Sequence, residues 1–352
     1  MASPQSVIQI DGAYGEGGGA LLRTALAMSA LTEQPCRINA VRGGTKYPGL
    51  DVEDLTFLSA LAKISNAETV GAEAGSNTLS FLPTTRARGI SGNISAAMKE
   101  SDRGPNACVV LSSLLPVLAR GGVYSSLATE GETFGSNALS YDYFANVTLA
   151  ALRKTGLYAF PELVTAGFGR GSNGQVALEV EPSSLQGLTW TDRGRLKEVK
   201  AIVTTASIPK SVGERAVAHL RKLAHNSGLS IDVDHQEVGA RTGGIFVTAW
   251  AVYDRGFGGG AAMGNRGLRA ETLAQLAFEE LFNWMSTPST IDTYLADQIL
   301  LPLVLAEGES TFTVPQLTPR FLTCAWVVKQ FTPIHITVRG PENGPGTVTI
   351  RR

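Results

Sequence analysis

The sequence predicts an α/β protein whose core repeats a β-and-α unit and is interrupted by a smaller α/β insert. Three observations carry this. A strand, a glycine-rich loop and an amphipathic helix follow one another near the amino end. An apolar helical run with an internal proline occurs twice, as residues 114–121 (LLPVLARG) and 300–308 (LLPLVLAEG). Between them, residues 188–285 open with a dense run of charge and then give strands and helices of their own. The chain has 352 residues, more than a single core usually carries. The expected division is 1–187 with 286–352 for the core and 188–285 for the insert.

Residues 7–10 (VIQI) alternate and read as a strand. The loop 11–19 (DGAYGEGGG) follows, then residues 20–31, with apolar side chains at 21, 22, 25, 26 and 28 forming a helical stripe. Each later apolar run follows a polar stretch and ends at a glycine, Gly121 or Gly308, the usual helix stop. Pro116 and Pro302 inside those runs predict a kink or a break. Strands at 312–314 and 335–338 follow the second run. The insert begins with Asp192, Arg193, Arg195, Lys197, Glu198 and Lys200. It continues as a strand at 201–205, a helix at 211–226 and a strand at 246–252, all over a thin core. Residues 256–260 read as a glycine loop and 269–284 as a long amphipathic helix.

Composition narrows the function. Thirty basic and 31 acidic side chains leave a net charge of −1, so there is no global field for duplex nucleic acid. A local basic pocket that grips one RNA end remains compatible. Cys36, Cys108 and Cys324 are scattered without a C-x-x-C pair, which argues against a disulfide framework or a structural zinc site. His219, His225, His235 and His335 lack metal-ligand spacing. The opening residues lack a charged region followed by an apolar stretch, and no run nears the ~18 apolar residues of a spanning helix. The expected compartment is the cytoplasm, with no membrane partner.

Three segments can carry chemistry. In the loop before the first helix, glycines let the backbone approach a phosphate and the helix amino end offers unpaired N–H groups. The same loop also serves as a plain strand-to-helix turn, but Glu16 within it calls for a metal, a hydroxyl or a cation. Arg23, Arg42 and Lys46 are cations near residues that allow close approach, and guanidinium groups match a terminal phosphate bidentately. Here the plain reading is a solvated turn. Residues 294–298 (YLADQ) open the later apolar helix, and Asp297 either caps that helix or faces a nucleotide beside Gln298.

Together these segments resemble the RNA 3'-terminal phosphate cyclase family. The stretches that carry the resemblance are Asp11-Gly12 with Gly15-Glu16-Gly17-Gly18-Gly19 and Leu22-Arg23; Arg42 with Pro48-Gly49-Leu50; and Gly131 and Thr133 with Asp142-Tyr143. Gly167-Phe168, Ile208-Pro209-Lys210 with Glu214-Arg215, and Tyr294-Leu295-Ala296-Asp297-Gln298 with Leu301-Pro302 complete it. They span about residues 7 to 340 in the family's order. The resemblance implies a large domain of three repeated β/α units, related to enolpyruvyl transferases, with a smaller α/β insert. It implies ATP and Mg2+ or Mn2+ as cofactors and RNA 3' ends as partner. The implied reaction adenylylates a histidine, passes AMP to an RNA 3'-phosphate and closes a 2',3'-cyclic phosphate. By similarity, Glu16 serves the metal or nucleotide; Arg23, Arg42 and Lys46 hold phosphate; and Tyr294, Leu295, Ala296, Asp297, Gln298 and Ser112 lie at the nucleotide.

The departures fall in the same places. Where the family carries its nucleophile in H-x-x-T-N, this chain has Arg320-Phe321-Leu322-Thr323-Cys324. A guanidinium stays protonated and has no lone pair with which to attack a phosphate. A basic phosphate-pocket position reads Thr45, a glutamine reads Glu53, and a nucleotide-contacting glutamine reads Ser112. Two readings follow: a cyclase with altered chemistry, or a catalytically inert cyclase-like protein that binds RNA or nucleotide in RNA processing or ribosome biogenesis.

Overall fold

Parallel strands need a crossover helix, whereas antiparallel neighbours need only a turn, and the chain uses both devices in a fixed order. In the computed structural model, which describes residues 6–95, 104–136 and 139–352, the first round runs β1 (Ile8–Asp11), α1 (Gly19–Thr32), β2 (Cys36–Asn39), α2 (Val52–Ser65), β3 (Glu68–Val70) and β4 (Thr78–Leu82). Crossover helix α1 makes β1 and β2 parallel; β4 then pairs antiparallel with both β2 and β3, giving the order β1-β2-β4-β3.

The second round repeats this. It runs β5 (Ser91–Ile94), α3 (Ala107–Arg120), β6 (Ser125–Gly131), α4 (Tyr141–Tyr143), a π-helical turn at Phe144–Thr148, α5 (Leu149–Arg153), β7 (Ala159–Thr165) and β8 (Gly174–Val180). Its order is β5-β6-β8-β7, with the same parallel and antiparallel pairs.

The chain then passes through residues 185–190 into β9 (Leu196–Ala206), α6 (Lys210–Asn226), β10 (Asp232–Glu237), β11 (Gly244–Tyr253), β12 (Gly256–Met263) and α7 (Ala270–Met285). These strands form a separate sheet, β10-β9-β11-β12. Next come α8 (Leu295–Leu305), β13 (Ser310–Val314), α9 (Pro319–Phe331), β14 (His335–Arg339) and β15 (Gly346–Arg351), with the order β13-β15-β14. Backbone bonds from Gly187 N–H to the Glu307 carbonyl (2.8 Å) and from Thr311 N–H to the Leu188 carbonyl (2.7 Å) lay residues 185–190 parallel beside β13. With that segment counted, the third sheet has the order of the first two. The β9–α7 segment is spliced in just after the third round's first strand.

The main core joins α1, α3, α8 and α9 through Leu22, Leu26, Leu111, Leu115, Leu300 and Phe321, all fully buried. This burial explains why neither proline-containing run is broken. Helix α3 continues through Pro116 and α8 through Pro302. A helix-interior proline costs about 3 kcal/mol, and burial of a single large apolar side chain contributes roughly 1.5–3 kcal/mol. Leu114, Leu115, Val117 and Leu118 around Pro116 are all buried, so the helix persists.

Residues 256–260 are not a loop but the start of β12. The missing side chains of Gly258 and Gly260 are what let the strand lie under α7. A Cβ on Gly258 would come within 2.6 Å of the Trp284 ring, and one on Gly260 within 2.3 Å of the Ala277 carbonyl oxygen. The sheet is also less free-standing than a thin core suggests. Val203 and Val247 pack against Leu220 and Leu273, while Ile202, Trp250 and Phe257 belong to the main core. Burial on both faces accounts for the unbroken buried stretch Ala201–Ala206 of β9, which carries no charged residue.

Candidate active-site cleft

The glycine-rich loop between β1 and α1 is tied down on α9. Glu16 N–H donates to Thr323 Oγ1 at 2.9 Å, and Thr323 in turn donates to the Pro319 carbonyl. Tyr14 stacks on Trp326 with ring centroids 3.9 Å apart. Gly15 has φ +59°, and a Cβ there would lie 2.2 Å from Thr323 Oγ1, so both its backbone and the close approach require glycine. Helix α1 then begins at Gly19, and its capping residue Gly18 supplies no side-chain cap, which leaves first-turn N–H groups without a side-chain partner among the described residues.

Arg320 stands on the first turn of α9 and reaches back to this loop. Its Nε and Nη2 donate to the Glu16 carboxylate at 3.0–3.2 Å, a bidentate pair. Burial works against the Arg320 charge, but the hydrogen bonds to Glu16 and the nearby Asp297 outweigh it and raise its pKa further. Asp297 is pushed up to about 6 by burial, with Arg320 pulling the other way. Asp297 does not cap α8; Asp292 does, accepting the N–H groups of Tyr294 and Leu295 at 2.8 Å each.

The rest of the YLADQ segment divides sharply. Leu295 and Ala296 have their side chains in the core, which leaves only backbone to a ligand. Tyr294 is exposed. Gln298 donates to the Tyr294 carbonyl and accepts from Thr148 Oγ1 at 2.6 Å. Ser112 is partly buried on α3. Cys324, the neighbour of Thr323, is no substitute nucleophile: burial, with the Asp297 charge, pushes its thiol up to about 12, so it carries no thiolate near neutral pH. His219 and His225 lie on α6, His235 on β10 and His335 at the start of β14, none of them beside Arg320 on its own helix.

Arg23 and Arg42 do converge, but on carboxylates. Arg23 Nη1 donates to Glu53 at 2.9 Å and to Asp54 at 3.3 Å. Arg42 donates to Asp54 at 3.1 Å and also pairs with Asp51. Asp51 and Asp54 form the capping box of α2, so helix capping delivers these acids to the arginines. Burial, and then Asp51, push Asp54 up to about 7 against the pull of Arg23 and Arg42. Lys46 is exposed and lies over the Tyr47 ring. Thr45 Oγ1 points at backbone carbonyls of Arg42 and Tyr47. Sequence reasoning singled out the cations and missed Asp51 and Asp54; a D-x-x-D box ahead of an apolar helix was the available signal.

Among the described residues, no three His, Cys, Asp or Glu side chains group to hold a metal. Both Glu16 oxygens are engaged by Arg320. With that pair made, the Glu16 carboxylate is not free to hold Mg2+ or Mn2+.

A thrice-repeated βαβ-containing sheet, with a glycine loop pinned on α9 and two arginines paired to carboxylates beside it, defines an α/β protein built of repeated units. Residues 14–338 match the profile of the RNA 3'-terminal phosphate cyclase family. Proteins named RNA 3'-terminal phosphate cyclase from Methylococcus capsulatus and Methanopyrus kandleri are each 34% identical, over 98% of this chain and 96% and 99% of their own. One from Salmonella typhimurium is 34% identical over 96% of this chain and 97% of its own. The chain belongs to the RNA 3'-terminal phosphate cyclase family. No helix among the described residues is long and apolar enough to cross a membrane.

Proposed function

We propose that this chain binds ATP and RNA 3' ends in the cleft between the glycine-rich loop, α8 and α9, and does not pass through a histidine-linked adenylate. The observation that carries this is the bidentate pair between Arg320 and Glu16. A permanently protonated side chain occupies the family's nucleophile position and is held there by the loop carboxylate. Residues 188–285 act as an inserted domain on this core, a reading supported by their separate sheet and their own cluster around Leu220 and Leu273.

Arg320 has a binding role here. It neutralises Glu16 and Asp297, which otherwise present two carboxylates to a triphosphate. Arg320→Ala is expected to weaken ATP binding about tenfold, because Glu16 and Asp297 then face the triphosphate unneutralised, as read by calorimetry. Incubation with α-labelled ATP and RNA ending in 3'-phosphate is expected to leave the protein unlabelled and the RNA uncyclised. A phosphoramidate on any histidine, or a cyclic phosphate product, sinks the proposal and restores the cyclase reading.

A further inference from the structure

Glu53 stands between two donors suited to a terminal phosphate. Its Oε1 accepts from Arg23 Nη1 at 2.9 Å. Its Oε2 accepts the backbone N–H of Asn106, the capping residue of α3, at 3.1 Å. A guanidinium and a helix amino end are the groups with which proteins hold phosphate, and here one side chain of the same molecule takes both. Asp54 closes the far side of Arg23, and Asp51 with Asp54 engages Arg42. Within this cluster, three carboxylates therefore meet two guanidinium groups among the described residues.

Charge then selects the ligand. A phosphate brought to Arg23 lies against the Glu53 carboxylate, and like charges repel strongly in a partly buried site. A ribose end that carries hydroxyls alone has the opposite fit, because each hydroxyl accepts from a guanidinium and donates to a carboxylate. Building on the reading of the cleft as an RNA-end site, we propose that Glu53 is a specificity-determining residue. It excludes a terminal phosphate, so that the RNA end taken at Arg23 is a 2',3'-diol.

Two labelled oligoribonucleotides of one sequence, ending in a 2',3'-diol or a 3'-phosphate, separate the possibilities by fluorescence anisotropy with the full chain. The unmodified protein is expected to bind the diol at least about tenfold more tightly. Glu53→Gln keeps the length and an accepting oxygen for Asn106 while removing the charge, and should narrow or reverse that ratio. Equal or tighter binding of the phosphate end by the unmodified protein overturns the proposal without recourse to the variant. So does an unchanged ratio in a Glu53→Gln protein whose thermal unfolding shows it folded. Binding of neither oligonucleotide removes the RNA-end reading itself, and this inference with it.

Discussion

Two arginine–carboxylate clusters flank the amino end of α1, and they are built differently. At one, Arg320 and Glu16 meet with side chains 50% and 33% exposed. At the other, Arg23 and Arg42 share Asp54, whose side chain is fully buried. A half-exposed pair gains little, because water screens it and both side chains lose freedom. A buried carboxylate between two guanidinium groups cannot be removed cheaply, because the charges it leaves behind stay out of water. The first cluster is thus able to open for a ligand, and in the second the buried Asp54 holds α1 and α2 together.

The largest effect expected from this contrast is that of Asp54→Ala. It strips both arginines of a shared partner and removes the reciprocal half of the α2 capping box. The loss should be about 3–5 kcal/mol, measured from urea unfolding midpoints with the slope held constant. A loss below about 1 kcal/mol would mean that Glu53 and Asp51 alone satisfy the arginines.

Asp142 shows what burial does without an arginine. It is buried, accepts from Thr204 Oγ1 on β9 at 2.7 Å, and is pushed up to about 6 by burial. The folded state therefore holds this proton more tightly than the unfolded chain. The resulting stabilisation is complete below the ordinary aspartate value and is lost as pH rises through 6. Asp142→Asn cannot ionise, so its stability should fall less than that of the unmodified protein between pH 4.5 and 7.5, by roughly 2 kcal/mol. Asp292 and Asp297, raised in the same direction, are present in both proteins and cancel. Parallel pH profiles for the two proteins would show that Asp142 is ionised in the fold.

The sequence made the repeats legible where periodicity and punctuation agree. Strand, glycine loop and helix at the amino end and the two proline-containing runs correspond to observed elements. It misled where tertiary packing overrides a local rule. Residues 256–260 form a strand in which Gly258 and Gly260 fit under α7, where Trp284 and Ala277 leave no room for a side chain, and Pro116 and Pro302 stay inside helices because their neighbours are core. At the cleft, the cations were legible as residue types. That Arg23 and Arg42 would meet carboxylates was not, since Asp54 lies thirty-one residues from Arg23 in the chain and the contact depends on how α1 crosses α2.

The smallest stability effect belongs to Arg320→Ala, and its smallness is informative. The pair with Glu16 has good bidentate geometry, which favours a measurable contribution, but its exposure caps that contribution at about 1 kcal/mol or less. The loop does not depend on it, because the Tyr14–Trp326 stack and the Glu16 N–H bond to Thr323 remain. Urea unfolding of Arg320→Ala should therefore lie within about 1 kcal/mol of the unmodified protein while its ATP affinity falls. The two readouts must diverge if Arg320 serves ligand binding. A loss of several kcal/mol would instead make Arg320 a structural latch for the glycine loop, comparable to Asp54. The contrast between an openable cluster and a holding one would then disappear.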